Sequence, residues 1–455
     1  MKEFVDIPLS PATQRVLTTI ESAGFQAWLV GGCVRDALLG RKAPDVDIAT
    51  DATWQQVRDT CQAADMKVHE TGTQHGTVTV VADGERFEVT TFRIDGTYSD
   101  ARHPDSVSFA STIEEDLARR DFTINAMAWH PQRGLCDPYG GQTDLAAGVI
   151  RAVGEPTQRF AEDALRILRG VRFASQLGFH VEPRTLEGMN AHAQTLTSIS
   201  AERVKAELDA LLLGQHVRSA LLGYARIIDA VLPELSPMRG FDQLTPYHIY
   251  DVMEHTAYVV QYSSPQLLCR WSALFHDMGK PDVFFTDEKG QGHFYGHAKK
   301  GVPLAEQALS RLKASSAFIE EVALLVRYHD TVIKPEPAPV KRMLRRLGGN
   351  VDTMRALCDL KRADSLAHAP EHQSGVTIAN QLEACLDGIL EAQDAFTIAQ
   401  LAIDGNDVLA AGVPAGPQVG QVLEEVLEAV IDEQLPNDRD VLLAFLHDEG
   451  EYLFE

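Results

Sequence analysis

The chain of 455 residues has no run of eighteen or more apolar residues, so no membrane-spanning helix is expected. Its opening residues, MKEFVDIPLSPATQ, lack a basic region followed by an apolar stretch, which argues against a secretory signal. Cysteine is sparse. Cys33, Cys61, Cys136, Cys269, Cys358 and Cys385 are scattered with no CxxC pair, and read as buried free thiols in a reducing cytoplasm, not as a disulfide frame or zinc site. Positive charge is also short: 41 Lys and Arg face 65 Asp and Glu, a net charge of −24. Such a field slows the approach of a polyanion and weighs at first against an RNA partner. Local charge matters more, and arginines cluster at 166–172 and with Lys341, Arg342, Arg345 and Arg346. A salt-adapted surface explains the acidity equally well. The sequence shows no short-period repeat and no low-complexity tract.

The length, with 45% hydrophobic residues, suits two to four domains. Residues 1–150 mix strands and helices. QAWLV (26–30) reads as a buried strand, and Gly31-Gly32 opens a helix through Val34–Leu39. DVDIA (45–49) alternates, which puts Asp45 and Asp47 on one strand face and Val46 and Ile48 on the other. A helix follows near 53–64. TVTVVADGERFEVTTFR reads as a hairpin turning at Asp83-Gly84. Thr112 and Glu115 have capping-box spacing for a helix ending at Arg119 and Arg120. Beyond about residue 155 the periodicity turns helical. Residues 236–246 and the proline-rich 334–339 mark boundaries. Four parts result: a head (1–150), a helical neck (151–235), a His-rich helical unit (236–333) and a C-terminal helical part (334–455).

Nucleotidyl transfer needs a triphosphate held close to the main chain and divalent cations beside it. Gly31 and Gly32 permit close backbone approach, and Arg35 adds a charge-assisted phosphate contact. Asp45 and Asp47 can grip two Mg²⁺. Glu88, on the second hairpin strand, is the expected third carboxylate. Taken singly, each element has a plainer explanation: a turn, a solvated strand edge, an exposed strand residue.

In strand–glycine turn–helix–strand order, LVGGCVRDALLG with DVDIAT resembles the class II tRNA nucleotidyltransferases and bacterial poly(A) polymerases. EVTTFR (88–93), DGTYSDARHPDSVSF (95–109), RRDFTINAM (119–127), DPYGGQTDL (137–145) and EDALRILRGVRFASQLGF (162–179) extend the resemblance in order along the chain. It implies an α+β head with a polymerase-β-like palm, then an all-α neck, a further helical domain and a helical body and tail. It implies that Asp45 and Asp47 hold metal, and that Gly32, Arg35 and Arg120 meet the nucleotide, with Asp121 near the ribose. By the same resemblance Asp163 and Arg166 read the incoming base, while Arg169 and Arg172 make further nucleotide contacts. An Arg donor fork beside an Asp acceptor suits recognition of a base edge without a template. The plainer alternative is a salt-bridged helix with Glu162 paired to Arg166. The loop 95–105 resembles the family's element for switching from C to A.

His255, His276-Asp277 and Asp330 resemble the ligands of HD-type metal-dependent phosphohydrolases, with His297 and His329 as second-metal ligands. The resemblance implies a divalent metal and hydrolysis of a phosphomonoester or 2′,3′-cyclic phosphate. An idle site on a retained helical bundle fits as well. VKRMLRRLG (340–348) and CDLKRADSLAHA (358–369) read as basic helices, suited either to the tRNA acceptor arm or to ordinary solvated surface.

The activity implied is addition of C, C and A to the tRNA 3′ end from CTP and ATP. A poly(A) polymerase is disfavoured by MKVHETGTQHGTVTV (66–80), which lacks an Arg-rich element, and by the acidic tail. A CC-only or A-only enzyme shares the EDxxR motif. A phosphohydrolase with a nucleotide- or RNA-binding head, or a non-catalytic RNA-binding protein, would not need the intact carboxylate pair.

Overall fold

The structure, a computed structural model, describes residues 7–43, 45–95 and 107–449. All but the first residue of the loop expected at 95–105 lies outside the described residues. The chain divides into two compact units, Met1–Pro233 and Glu234–Glu455.

The first unit begins with α1 (Pro11–Ser22), β1 (Ala27–Val30), α2 (Gly32–Leu38), β2 (Val46–Thr50), α3 (Trp54–Ala63), β3 (Lys67–Gly72), β4 (Thr77–Ala82) and β5 (Glu85–Thr91). It continues through β6 (Arg93–Asp95), β7 (Val107–Phe109), α4 (Ile113–Ala118), β8 (Ala128–His130), β9 (Gly134–Cys136) and α5 (Gly141–Ala147). Among the described residues seven strands form one mixed sheet in the order β3-β4-β5-β2-β1-β8-β9. β2 and β5 run parallel, and every other neighbouring pair is antiparallel. Alternation decides which side chains go inward: Ile48, Val78, Val80, Phe87 and Val89 are all fully buried. The β4–β5 hairpin turns at Asp83 (φ 51°) and Gly84 (φ 86°), two left-handed residues that match the twist of the flanking strands. Thr112 and Glu115 close the expected capping box on α4.

The rest of this unit is helical. It comprises β10 (Val149–Ile150), α6 (Pro156–Glu162), α7 (Leu165–Leu177), β11 (His180–Val181), α8 (Pro183–His192), α9 (Ala201–Leu212), α10 (Val217–Gly223) and α11 (Ala225–Val231). α6 and α7 do not fuse, because Asp163 takes an extended conformation (φ −142°) and its carboxylate accepts the Leu165 N–H at 3.0 Å. Gly178 ends α7 in the left-handed conformation (φ 76°).

The second unit runs α12 (Val252–Tyr262), α13 (Leu267–Phe275), α14 (Lys280–Val283), β12 (Phe285–Thr286), β13 (Gly292–His293), α15 (His297–Arg311) and α16 (Ser316–Tyr328). It then runs α17 (Pro337–Arg346), α18 (Val351–Leu366), α19 (Gly375–Glu391), α20 (Gly405–Ala410), α21 (Pro417–Ile431) and α22 (Arg439–Glu449). α12, α13, α16 and α18 pack together around Trp271, Phe275, Leu325 and Leu360, all fully buried. Pro337 is not part of a stiff connector. It opens α17 where a missing N–H costs nothing. The basic helices of this unit are not open cationic stripes. Arg342 pairs with Asp432, and Arg345 with Glu424 and Glu428 on α21. Buried Lys341 pairs with Asp394 at 2.7 Å, Arg355 with Asp387 at 2.6 Å, and Arg362 with Glu383.

Candidate active site and metal centre

The parallel pairing of β2 and β5 puts Asp47 directly beside Glu88. Both neighbours of this pair in the ladder, Val46 with Phe87 and Ile48 with Val89, face the other way, so Asp47 and Glu88 share a face. Asp45 precedes β2 by one residue and lies two residues from Asp47, on the same side by alternation. The Asp47 carboxyl is pushed above its ordinary range, first by burial and then by the negative charge of Glu88, against a smaller opposing pull from Arg120. The shift marks negative charge around Asp47 that Arg120 does not offset.

Gly31 sits at the entry to α2 with φ 74°, and a Cβ there would lie 2.7 Å from Arg120 Nη1. The left-handed conformation favours glycine here, and any added side chain would also displace the Arg120 guanidinium. Gly32 is less constrained, its nearest neighbour for an added Cβ being Arg35 Nη2 at 3.7 Å. Arg120 is held by Asp116 at 3.1 Å, while its buried Nε has no hydrogen-bond partner. Arg35 donates to Asn125 Oδ1 at 2.7 Å and pairs with Asp36.

On α7 the guanidiniums of Arg169 and Arg172, together with that of Arg35, lie over the ring of Phe173 at 5.6, 4.3 and 5.2 Å. Arg169 Nε also donates to Asp121 Oδ2 at 2.6 Å. Burial would raise the Asp121 carboxyl, yet Arg169 beside it brings it down to about 2. Arg172 donates to Glu207 at 2.7 Å. Arg166 is buried and donates to Glu162 at 2.6 Å and to the carbonyls of Arg159 and Arg119 at 3.1 and 3.0 Å. The Glu162–Arg166 pair of a salt-bridged helix is thus present. Asp163 takes different partners, accepting from Leu165 N–H and from Arg203 Nη2 at 3.3 Å. Arg203 and Glu207, four apart on α9, were not anticipated. Their only trace in the sequence is a shared helix face in AERVKAEL.

In the second unit, His255, His276 and Asp277 come together as expected, but Asp330 does not join them. Asp330 is exposed at the edge of the same cavity, 3.9 Å from His297 Nδ1. The carboxylate that meets His255 belongs to Asp364 on α18, at 2.9 Å, which also lies 3.8 Å from His276 Nε2. Asp277 has His276, His297 and His329 around it at 3.1, 3.4 and 3.8 Å. His248 and His368 stand beside His255, ring centroids 5.0 and 5.5 Å away.

The protonation pattern of this cluster is informative. His276, His297 and His329 each have Nδ1 against the carbonyl three residues earlier, at 2.8, 2.9 and 2.7 Å. Their Nδ1–H groups donate there, so each ring turns Nε2 inward. His297 Nε2 and His329 Nε2 then face each other at 3.0 Å. His276 Nε2 and Asp277 Oδ2 are buried 3.1 Å from each other, and Lys280 Nζ lies 2.6 Å from the same oxygen. Burial, followed by His276 and His297, pushes His329 well below its usual range, keeping it neutral. Burial opposes ionisation of Asp277, but His276 and Lys280 hold it anionic. Ligand atoms that converge in two groups of three, His255 with His276 and Asp364 and Asp277 with His297 and His329, fit a cation.

Comparison with known proteins gives the same outline. Residues 27–151 match the poly A polymerase head domain, 178–239 the probable RNA and SrmB-binding site of polymerase A, and 301–446 a putative tRNA nucleotidyltransferase domain 2. The CCA-adding enzyme of Lactiplantibacillus plantarum is 33% identical over 452 residues, covering 95% of each chain. That of Geobacillus thermodenitrificans is 34% identical, covering 96% of this chain and 97% of its own. The crystal structure of the Bacillus stearothermophilus CCA-adding enzyme in complex with CTP superposes with a TM-score of 0.76 at 27% identity, over 98% of this chain and 99% of that one. With full-length relatives at this identity, on a mixed-sheet head that carries Asp47 beside Glu88, the chain belongs to the family of CCA-adding enzymes and poly(A) polymerases.

Proposed function

We propose that this protein adds C, C and A to the 3′ end of tRNA, drawing on CTP and ATP. In each step the 3′-hydroxyl oxygen bonds to the α-phosphorus, the bond to the β-phosphate breaks, and pyrophosphate leaves. The observation that carries this reading is the in-register pair of Asp47 and Glu88, with Asp45 alongside. Asp45 and Asp47 would hold two Mg²⁺, which supply charge neutralisation and activation of the hydroxyl. Arg120, with an unpartnered Nε, and Arg35 orient the triphosphate. Arg169 and Arg172, stacked on Phe173, form the cationic wall on which it rests. Asp163 and Arg166 read the base edge. This requires Arg166 to trade its Glu162 and carbonyl partners for the nucleotide. The free thiols of all six cysteines accord with a cytoplasmic site of action, and no helix among the described residues is long and apolar enough to cross a membrane. The test is incubation with tRNA lacking CCA, with CTP and ATP separately and together, followed by end sequencing. CC from CTP alone and CCA from both is expected. A product halting at CC or limited to A, or long A-tails on unrelated RNA, would replace this reading.

The inward-facing imidazoles of the second unit favour a second reading for that unit, an HD-type metal-dependent phosphohydrolase. His255, His276, Asp277, His297, His329 and Asp364 would hold the metal, with Asp364 in the place first given to Asp330. What a divalent ion supplies in such a site is activation of water against a phosphate ester. Calorimetric titration with Mn²⁺ should show binding that His276→Ala removes.

A further inference from the structure

The hairpin β12–β13 carries an arrangement of rings that neither the head chemistry nor the core uses. Phe285 and His293 face each other across the two strands as cross-strand partners. Their rings pack at 5.3 Å with 28° between planes, His293 and Tyr295 at 5.4 Å and 22°, and Phe285 and Tyr295 at 5.8 Å and 49°, so the three rings close a triangle. His293 is fixed in this cluster by Asp287, 3.2 Å away. Two of the rings reach water: Tyr295 is 75% exposed and Phe285 46%. Large aromatic rings clustered in the open and held by a strand register are a built surface with exposed π-faces.

Tyr295 also lines the cavity of the histidine cluster. That cavity, about 320 Å³, is walled by Asp277, Lys280, Tyr295, His297, His329 and Asp364. Its polar end carries buried His276 and Asp277, with the Lys280 ammonium 2.6 Å from Asp277. A volume at the low end of small-molecule sites, roughly 300–1,000 Å³, accommodates a phosphate and its sugar at the polar end and puts a base toward the rim. The first surface such a base meets at the rim is the Tyr295 ring.

We propose that Tyr295, backed by Phe285 and His293, is a base-stacking subsite for the His/Asp centre, whose ligand is a phosphate ester on a nucleotide: a mononucleotide or the terminal nucleotide of an RNA. The phosphate end of this proposal rests on the metal-centre reading given above. The aromatic end rests on the ring geometry and on the place of Tyr295 in the cavity wall. Stacking on a π-face tolerates every base, so purines and pyrimidines both bind, the larger ring systems more tightly. The phosphate is drawn to the cation and Lys280, and the ribose bridges the two.

The test uses the full chain with Mn²⁺ and the photoprobe 8-azidoadenosine 3′-monophosphate, reading the label by peptide mass spectrometry. Labelling within 285–297 is expected to saturate. Unmodified adenosine 3′-monophosphate should compete, whereas ribose 5-phosphate, with a phosphate but no base, should not. Competition by an RNA ending in a 3′-phosphate at lower concentration than the mononucleotide would identify the RNA end as the preferred source, and the reverse order the free nucleotide. Tyr295→Ala should raise the half-saturating probe concentration roughly tenfold, and Tyr295→Phe should restore it. Thermal midpoints check that both variants fold, and Mn²⁺ calorimetry on each tests the metal centre separately. Unchanged Mn²⁺ binding with unchanged labelling in Tyr295→Ala overturns the subsite and leaves the metal centre standing. Tyr295-dependent labelling without Mn²⁺ binding does the opposite. Absence of both overturns both.

Discussion

Asp47 answers to two opposing demands, and they can be separated by titration. Its carboxyl is pushed upward in the folded protein by burial and by Glu88, so the native state binds that proton more tightly than the unfolded chain. Ionising Asp47 therefore costs stability, and the loss grows as pH rises from the ordinary carboxylate range through the folded value. With chelator present, Asp47→Asn should melt at a higher temperature than the parent at pH 7. The difference should close as the pH falls below about 3, where the parent carboxyl is protonated in both states. Equal midpoints at pH 7 would refute the repulsion argument. The same substitution should cost more than about a hundredfold in nucleotidyl transfer, since even outer partners of metal ligands cost 10–100-fold, while tRNA still binds in a filter assay. The strand placement of Asp47 and the partnership with Glu88 were legible because a period of two assigns faces without any tertiary knowledge. The partners of Asp163 and Arg166 were not. Arg203 contacts Asp163 across forty residues of sequence, and nothing local announces it.

Among the elements, α18 changes the reading of the second unit most. In the sequence its CDLKRADSL segment looks like a basic face for RNA, because Lys361 and Arg362 dominate it. In the fold Lys361 donates to the carbonyls of His329 and Thr331 at 2.6 and 2.7 Å, and Asp364, one turn on, enters the histidine cluster. The partner of His255 is 109 residues away along the chain, whereas Asp330 lies next to His329 and so looked the better ligand. Asp330 lies in the turn beyond α16, exposed and 3.9 Å from the nearest ring nitrogen, His297 Nδ1, whereas Asp364 stands 2.9 Å from His255. Asp364→Asn should therefore weaken Mn²⁺ binding by tenfold or more, and Asp330→Asn should change it little, both read by calorimetry. The reverse order would restore Asp330. The α17–α21 contact makes a related point. Arg345 spends its charge on Glu424 and Glu428, so Arg345→Ala should lower the thermal midpoint slightly, by about 0.2–1 kcal/mol per half-exposed pair. The salt dependence of tRNA affinity should stay as in the parent. A shallower salt slope would show that this arginine touches phosphate after all.

At the scale of the whole molecule, a net charge of −24 on an RNA enzyme has a kinetic signature. Long-range repulsion is screened within about 10 Å at 0.1 M salt, while short-range contacts to phosphate act inside that distance. Association with tRNA should accelerate as ionic strength rises from very low values toward 0.1 M, as measured by stopped flow. A rate that only falls over that interval would mean that the local field of the arginine wall governs the encounter. The arrangement of the sheet bears on durability. Sliding β5 by one residue against β2 would expose Phe87 and Val89 and bury Glu88. The acidic centre thus has no soft mode of its own: heat can scramble it only by melting the head, and residual turnover in a warmed sample should track the surviving fraction of native sheet.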